Sequence, residues 1–478
     1  MGQEIDHSRF SEAEFAAFSE RLRAETARLG RWFEEGAFSV RDEVGGSELE
    51  VWLTDEEGRP APVNERYLKH LDDPLVVPEL ARFNVEINTR PRPLHGDALS
   101  LMDEELRATW ARCQAAARDM GLHLVMIGIL PTLEEGQLTP ASMSSMQRYR
   151  ALNEQVLAQR GGRPLQLDIL GQDHLKAEHL DVMLESATTS FQIHLKVSQR
   201  QAARAYNAAI ILSAPMVALS ANSPFLFGRD LWEETRIPLF EQAVEVGGIR
   251  GAAFGPLKRV SFGSGYVRES LFECFEENAQ HFPVLLPMLF EGEEAASLPH
   301  LRLHNGTIWR WNRPLLGFDD DGTPHLRIEH RVVPAGPTVA DMVANAAFFF
   351  GLMKALLSRE TPAELLLPFE KARDNFYRAA RLGLEAQAEW LGGHKGRMQS
   401  LILDDLVPLA RRGLELLEMD AADIGRWVGT VAGRVANGCT GAAWQRAWVA
   451  RHGPDWPGLV AAYRERQDAG RPVHEWDI

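Results

Sequence analysis

The stretch Leu326-Arg327-Ile328-Glu329-His330-Arg331 decides how the rest of this chain is interpreted. Side chains alternate along a strand, so Arg327, Glu329 and Arg331 would share one face. Two cations beside one anion suit a metal-phosphate complex, because a carboxylate holds a divalent cation and guanidiniums bind phosphate oxygens. A surface strand with alternating charges and cross-strand ion pairs explains the same pattern. Other segments are needed to choose between these interpretations.

Length, composition and charge limit the class of protein. The chain has 478 residues, of which 45% are hydrophobic and 25% charged, as in ordinary soluble globular proteins. This length predicts two or three domains, or one large domain with insertions. The net charge of -16, from 67 acidic and 51 basic residues, argues against a nucleic-acid-binding surface. It leaves nucleotide binding open, since a nucleotide needs only a local cationic site.

The cysteines and the hydropathy pattern indicate a cytoplasmic protein. Cys113, Cys274 and Cys439 are far apart and show no Cys-x-x-Cys spacing, so neither a disulfide framework nor a zinc site is expected. The sequence shows no run approaching the ~20 apolar residues of a membrane helix. We therefore expect no membrane partner, and the oligomeric state is not defined by the sequence.

Periodicity predicts both helices and strands. Apolar spacing indicates helices at 11–35, where Ser11 and Glu14 form a capping-box pattern, at 97–120 and at 199–219. Alternation indicates strands at 48–53, 83–89, 122–130, 187–198, 300–313 and 325–333. From about residue 338 the pattern is almost entirely helical. The sequence therefore predicts an α+β protein, with one catalytic sheet domain and a helical C-terminal part.

Carboxylates recur on the predicted strands. Glu48 and Glu50 project from one face of their strand, Glu86 lies within the next strand, and Glu79 precedes it by seven residues. Mg²⁺ needs several oxygen ligands, and charges buried on a sheet are costly unless they are paired or metal-bound. We expect these glutamates to converge on two or more ions. The solvent face of an edge strand is the alternative.

Polar residues also share one face of the strand predicted at 187–198. They are Ser190, Gln192, His194 and Lys196. This set suits metal, phosphate or adenine, although a lone histidine in a strand is more often a hydrogen-bonded core or surface residue. Further on, Leu219–Phe225 precedes Arg229 and Arg236, which indicates either a substrate loop or a simple helix-ending turn.

Taken in order, these segments resemble the glutamate-cysteine ligase type of carboxylate-amine ligase, which is related to glutamine synthetase. The matching strings are the Glu-x-Glu at 48–50, FNVEINTRP at 83–91, MSSMQRYRALNEQ at 143–155, TTSFQIHLKVS at 188–198, LSANSPFLFGRD at 219–230, NGTIWRWNRP at 305–314 and LRIEHRVVPAGPT at 326–338. Each string is weakly specific alone, but seven in order over roughly 290 residues form a strong pattern. Residues 1–40 look like an addition.

The resemblance implies a fold and a reaction. The fold is glutamine synthetase-like: a curved, mostly antiparallel sheet that forms a funnel, with flanking helices. It divides the chain into an N-terminal helical extension (1–40), a catalytic domain (41–338) and a helical C-terminal region packed on that domain (339–478). In the reaction, ATP phosphorylates the γ-carboxylate of glutamate, and an amine attacks the acyl phosphate. Cysteine is the family's usual amine, so γ-glutamylcysteine is the expected product.

The resemblance also assigns site residues. The glutamates that would hold Mg²⁺, or Mn²⁺, are Glu48, Glu50, Glu79, Glu86 and Glu329. Arg327 and Arg331 would act with Glu329 in catalysis by stabilising the phosphoryl group in transfer. The nucleotide-binding set comprises Gln192, His194, Lys196 and Arg327. Many relatives carry a His-x-His pair here, and this chain has Gln192 in its first position.

Substrate-binding residues come from three segments. Arg236 and Arg313 are assigned to substrate carboxylates, which a planar guanidinium binds with two hydrogen bonds. Asn222, Arg148 and Arg150 complete the set, although a helix-capping or loop-ordering role fits the Arg148-Tyr149-Arg150 segment equally well.

Two alternatives remain at this stage. The first is a ligase of the same class that uses another amine, because no residue defines a thiol pocket. The second is a non-catalytic regulator that binds a nucleotide on the same fold. The intact Arg-x-Glu-x-Arg and the glutamates argue against the second, because clustered carboxylates repel one another without a cation.

Overall fold

The computed structural model describes residues 5, 7–41, 43–246, 258–290 and 296–478. The strands of this part of the chain are β1 (Val44–Thr54), β2 (Val76–Pro78), β3 (Asn84–Asn88), β4 (Arg92–Pro93), β5 (His123–Val125), β6 (Leu165–Leu170), β7 (His174–His179), β8 (Phe191–Val197), β9 (Phe225–Leu226), β10 (Arg229–Asp230), β11 (Val260–Ser261), β12 (Trp309–Arg310), β13 (Asn312–Phe318), β14 (Pro324–His330), β15 (Gln387–Glu389) and β16 (Lys395–Arg397).

The helices lie mostly between the strands and in the C-terminal third. They are α1 (Glu12–Glu35), α2 (Asn64–Leu71), α3 (Ala98–Asp119), α4 (Gln147–Gln159), α5 (Gln199–Ser220), α6 (Arg236–Ala243), α7 (Phe272–His281), α8 (Pro299–Gly306), α9 (Val339–Leu357), α10 (Phe369–Leu382), α11 (Met398–Leu401), α12 (Val407–Leu416), α13 (Ala421–Asn437), α14 (Gly441–His452) and α15 (Trp456–Ala469). A π-helical turn, Ile402–Leu406, joins α11 to α12.

One curled antiparallel sheet organises the molecule. Its strands follow the order β13-β14-β8-β1-β3-β2, and β4 and β5 also pair with β1. The register places His194 opposite Glu329 and Glu50 opposite Glu86. Directly opposed residues project from the same face, so charged side chains from distant segments meet on one side of the sheet. The predicted α+β class with a mostly antiparallel sheet is confirmed.

Two apolar helices, α5 and α9, cover the other face. The His330 ring stacks on Phe349 of α9 with centroids 4.3 Å apart. A side chain at Gly45 of β1 would meet Leu94 and Phe350 at 2.7 Å, so the close approach of α9 requires glycine there. Both helices are long and apolar enough to cross a membrane, but 89% and 94% of their most apolar windows are buried within the protein. They are core helices.

Most of the predicted elements are present, and three expectations need correction. The strand predicted at 300–313 is wrong over its first half, since residues 299–306 form α8, which Pro299 begins at a position where no backbone N–H is needed. The strand predicted at 122–130 is limited to His123–Val125. The hairpin of β15 and β16 interrupts the helical C-terminal part.

The N-terminal helix begins as the sequence predicts. The Ser11 side chain caps the backbone N–H of Glu14, and the Glu14 side chain caps the backbone N–H of Ser11. In the C-terminal region α9 packs against α5, α12 and α13. The division at residues 40 and 338 stays a prediction.

Candidate active site

A cavity of about 640 Å³ lies over the open face of the sheet. Its floor comes from β1, β3, β8 and β14, and α4 and α8 contribute to its walls. Ten of the residues assigned from the sequence line it: Glu48, Glu50, Glu79, Glu86, Arg148, Gln192, Arg313, Arg327, Glu329 and Arg331. Charged residues from segments almost 300 positions apart are therefore brought to one site.

Three neighbouring strands supply a group with the chemistry of a metal site. Ligand atoms of Glu48, His194 and Glu329 all lie within 4.8 Å of one another. His194 Nε2 is 3.4 Å from a Glu48 oxygen and 3.9 Å from a Glu329 oxygen. Burial opposes ionisation of Glu48, but His194 outweighs it and lowers the Glu48 pKa to about 2. Two carboxylates and an imidazole at this spacing fit a divalent cation.

Arginines fix Glu329. Arg313 makes two hydrogen bonds to its carboxylate, at 2.7 and 2.8 Å, and Arg331 makes a third at 2.9 Å. Burial alone would raise the Glu329 pKa, but Arg313 and Arg331 hold it well below its ordinary value. Glu329 is therefore ionised throughout the neutral range. Arg313 of β13 and Arg331, which follows β14, hold its carboxylate in position.

Gln192 connects this group to the next carboxylate. Its amide nitrogen donates to Glu50 Oε1 at 2.8 Å, and its amide oxygen accepts from Arg331. The backbone N–H of Ser190 also donates to Glu50, at 2.7 Å. A neutral residue that donates on one side and accepts on the other suits the gap between an anion and a cation.

A second group of carboxylates lies along the cavity beyond Gln192, and burial is the largest cause of its raised pKa values. Burial and the neighbouring charge of Glu86 raise the Glu50 pKa to about 7, despite Arg331. Burial and Glu50 raise the pKa of Glu79 to about 7 and that of Glu185 to about 8. The pKa of Glu86 is also well above its ordinary value, because of burial and then Glu48. This group favours bound cations or protons.

Sequence reasoning missed Glu185, which lines the cavity from the helical turn Glu185–Ala187 just before β8. It lies outside any alternating pattern, so strand periodicity gave no reason to select it. Its one signal is a charged residue directly after the apolar run Val182-Met183-Leu184. Arg302, Tyr149 and Trp309 also line the cavity and were not selected.

Arg148 and Arg327 lie at the cavity wall as expected. Arg148 is 7% exposed, donates to the Tyr149 hydroxyl and is attracted by Glu79 and Glu86. Burial lowers the Arg327 pKa, and its buried Nε has no hydrogen-bond partner among the described residues.

The structure does not bring Arg236 to the cavity wall. Its guanidinium is buried and donates to Glu234 at 3.0 Å, to the carbonyl of Arg331 at 3.2 Å and to the carbonyl of Val332. These contacts fix the chain just after β14.

Four other assigned residues also lie outside the residues that line the cavity, and one of them, His194, lies against Glu48 and Glu329, which do line it. Asn222 is buried and donates to the Ala335 carbonyl and the Tyr463 hydroxyl, both at 2.8 Å. Arg150 is exposed on α4. Lys196 donates to both carboxylate oxygens of Asp319, at 2.9 and 3.1 Å.

Comparisons with known proteins identify a family and a fold. The sequence model of "Glutamate-cysteine ligase family 2" matches residues 44–455. No curated protein matches the chain. Among solved structures, the glutamate-cysteine ligase of Francisella tularensis in complex with AMP superposes with a TM-score of 0.54 at 10% identity, covering 92% of this chain and 90% of that one. A bifunctional glutathione synthetase from Pasteurella multocida gives 0.49 at 11% identity, covering 94% and 55%. The first likeness establishes a shared fold.

Proposed function

Because the chain belongs to glutamate-cysteine ligase family 2, we propose that it is an ATP-dependent ligase that joins the γ-carboxylate of glutamate to an amine. The observation that carries this proposal is one cavity in which Glu48 and Glu329, which lie beside His194, adjoin Arg327 and Arg331. An anionic metal site beside guanidiniums is the arrangement that a nucleotide triphosphate and its cation require.

The proposed reaction has two steps. The γ-phosphoryl group of ATP passes to the γ-carboxylate of glutamate, which gives ADP and an acyl phosphate. The amine nitrogen then attacks the acyl carbon, the C–N bond forms, and the C–O bond to phosphate breaks. Phosphate leaves with the electron pair and takes up a proton from the amine. Cysteine, the acceptor in the family's name, is one candidate amine.

Glu48, His194 and Glu329 would hold a divalent cation, Mg²⁺ or Mn²⁺, which supplies neutralisation of phosphate charge when bound. Arg313 and Arg331 keep Glu329 in place. Burial would lower the pKa of Arg331, but Glu329 and Glu50 raise it, so this cation is permanent. Arg327 lines the cavity, and its buried Nε has no hydrogen-bond partner among the described residues, so we assign its guanidinium to phosphoryl oxygens.

Hydroxylamine provides the test, because this small nucleophile traps an acyl phosphate whatever the natural amine is. Full-length protein with ATP, Mg²⁺, glutamate and hydroxylamine should form γ-glutamyl hydroxamate and ADP in equal amounts. Omitting glutamate should stop both.

Two results would overturn the proposal in different ways. ATP binding by calorimetry without any hydroxamate would favour the non-catalytic regulator on the same fold. Hydroxamate formation from another carboxylate, but not from glutamate, would reassign the acyl donor.

A further inference from the structure

Gln192 is a buried, uncharged residue among the carboxylates of the cavity floor. It is 2% exposed and lines the cavity. It lies opposite Glu48 of β1 and two residues before His194, which is opposite Glu329 of β14. Opposed residues, and residues two apart on one strand, project from the same face of a sheet. The Gln192 amide is therefore placed between charged groups, which it can contact only through hydrogen bonds.

The amide joins a guanidinium to a carboxylate. Its oxygen accepts from Arg331, and its nitrogen donates to Glu50 Oε1 at 2.8 Å. The opposite orientation would direct the amide N–H groups at a cation and the amide oxygen at an anion, so the two partners fix the orientation. Arg331 also donates to Glu329 at 2.9 Å. Hydrogen bonds therefore run from Glu329 through Arg331 and Gln192 to Glu50.

The second oxygen of Glu50 is fixed by another uncharged donor. The backbone N–H of Ser190 donates to Glu50 Oε2 at 2.7 Å, and the backbone N–H of Glu50 donates to the Ser190 carbonyl at 2.9 Å. Both neighbours of the carboxylate are donors, so this geometry holds the ionised form of Glu50. Neither donor carries a charge, so the carboxylate keeps its negative charge for a bound cation.

Arg331 and Glu50 attract each other but are not in direct contact. Burial would lower the Arg331 pKa, but the charges of Glu329 and Glu50 raise it. No hydrogen bond or ion pair joins the Arg331 and Glu50 side chains in the described part of the chain, where Arg331 contacts Gln192 and Glu329. A direct pair would form charge-assisted bonds, which are stronger than bonds to a neutral amide. It would also cancel the charge of Glu50 and draw Arg331 away from Glu329.

Resting on the proposed ligase function, we infer that Gln192 is a positioning residue that prevents Arg331 and Glu50 from pairing with each other. Arg331 then stays bonded to Glu329 and keeps that carboxylate in place beside His194. Glu50 keeps an unpaired negative charge, which attracts a cation or an ammonium group of a substrate. The amide gives each partner a hydrogen bond, so neither charge is left buried without one.

Gln192→Met tests this role, because methionine has nearly the same volume but cannot bridge the two charges. In a crystal structure of the variant, we expect a guanidinium nitrogen of Arg331 to lie about 3 Å from a Glu50 oxygen. The kcat for γ-glutamyl hydroxamate should fall by about tenfold to 10²-fold, because both charged groups are displaced. Circular dichroism should be unchanged. Gln166→Met, on the exposed side of β6, is the control and should keep the parent kcat.

Gln192→His separates hydrogen bonding from side-chain volume. A neutral imidazole has one donor and one acceptor nitrogen, so it can bond both Glu50 and Arg331. We expect its kcat to stay within about tenfold of the parent and above that of Gln192→Met. Assays are run at about pH 8, above the Glu50 pKa of about 7, so that the carboxylate is ionised.

Three results would overturn the inference. They are a parent-like kcat in Gln192→Met, an Arg331 that stays away from Glu50 in its crystal structure, and a folded Gln192→His that is no more active than Gln192→Met. The last comparison is made with the parent alone if Gln192→Met does not fold, and a loss beyond about 10²-fold in the histidine variant is then the contrary result. Absence of hydroxamate formation by the parent would instead reject the proposed ligase function, and the crystal structure of Gln192→Met would still test the role of the amide.

Discussion

Glu50 and Glu86 lie directly opposite each other on the paired strands β1 and β3, with both carboxyl groups facing the cavity. Like charges in this position are destabilising unless a proton or a cation lies between them. The Asn88 amide donates to Glu86 at 2.9 Å but supplies no charge. The pair therefore creates a requirement for positive charge that a substrate complex can meet.

The pair makes stability depend on pH. Folding keeps a proton on Glu50 up to about pH 7, whereas the unfolded chain releases that proton near the ordinary pKa of 4.5. The free energy of unfolding therefore falls as pH rises through this window, by up to about 1.4 kcal/mol per pH unit for each extra proton held. Glu50→Gln removes one such group, so its stability relative to the parent should rise from pH 5 to pH 7.5.

Urea unfolding in EDTA checks this prediction, because chelation removes competing cations. Added Mg²⁺ should reduce the pH-dependent loss in the parent protein. If the free energies of unfolding of the parent and of Glu50→Gln differed by the same amount at every pH, this explanation of the Glu50–Glu86 pair would be contradicted.

Loss of Glu329 should stop the ligase reaction. Glu329→Gln keeps one oxygen for Arg313 but removes the negative charge from the group with Glu48 and His194. We expect kcat to fall by about 10² to 10³ and Mn²⁺ binding by calorimetry to weaken. Glu56→Gln, at an exposed position after β1, is the control. Full activity of Glu329→Gln would remove Glu329 from the catalytic group.

Arg236 should behave as a structural residue. Arg236→Met leaves Glu234 buried without its cation, which we expect to cost about 3–5 kcal/mol of stability. The exposed Arg412→Met should change stability by less than about 0.5 kcal/mol. Thermal unfolding and the KM for glutamate distinguish the roles. An unchanged melting temperature with a raised KM would support the carboxylate-binding role assigned from the sequence.

The N-terminal helix should support the cavity wall. Glu25 accepts from the backbone N–H of Leu301 at 2.8 Å and lies 2.6 Å from His300, so α1 is fastened to α8. Glu25→Ala should lower stability by about 1–3 kcal/mol and weaken ATP binding by calorimetry. Glu20→Ala, on the exposed side of α1, is the matched control. Equal ATP affinity in both variants would show that the contact between α1 and α8 does not affect nucleotide binding.

The sequence by itself determined the alternating strands and which charged residues share a face. Arg327, Glu329 and Arg331 follow from local periodicity, as do Glu48 and Glu50, because a strand repeats every two residues wherever it lies. The ordered motifs also identified the family, which the match over residues 44–455 confirms.

Only the tertiary structure decided which of these residues meet. Register between distant strands depends on the whole sheet, so the opposition of Glu50 and Glu86 could not be derived from either segment alone. Glu185 comes from a helical turn without periodicity, and Arg236 looks like a substrate arginine until Glu234 and the Val332 carbonyl surround it. The sequence shows which residue types are present, but which of them contact one another depends on how the strands and helices pack.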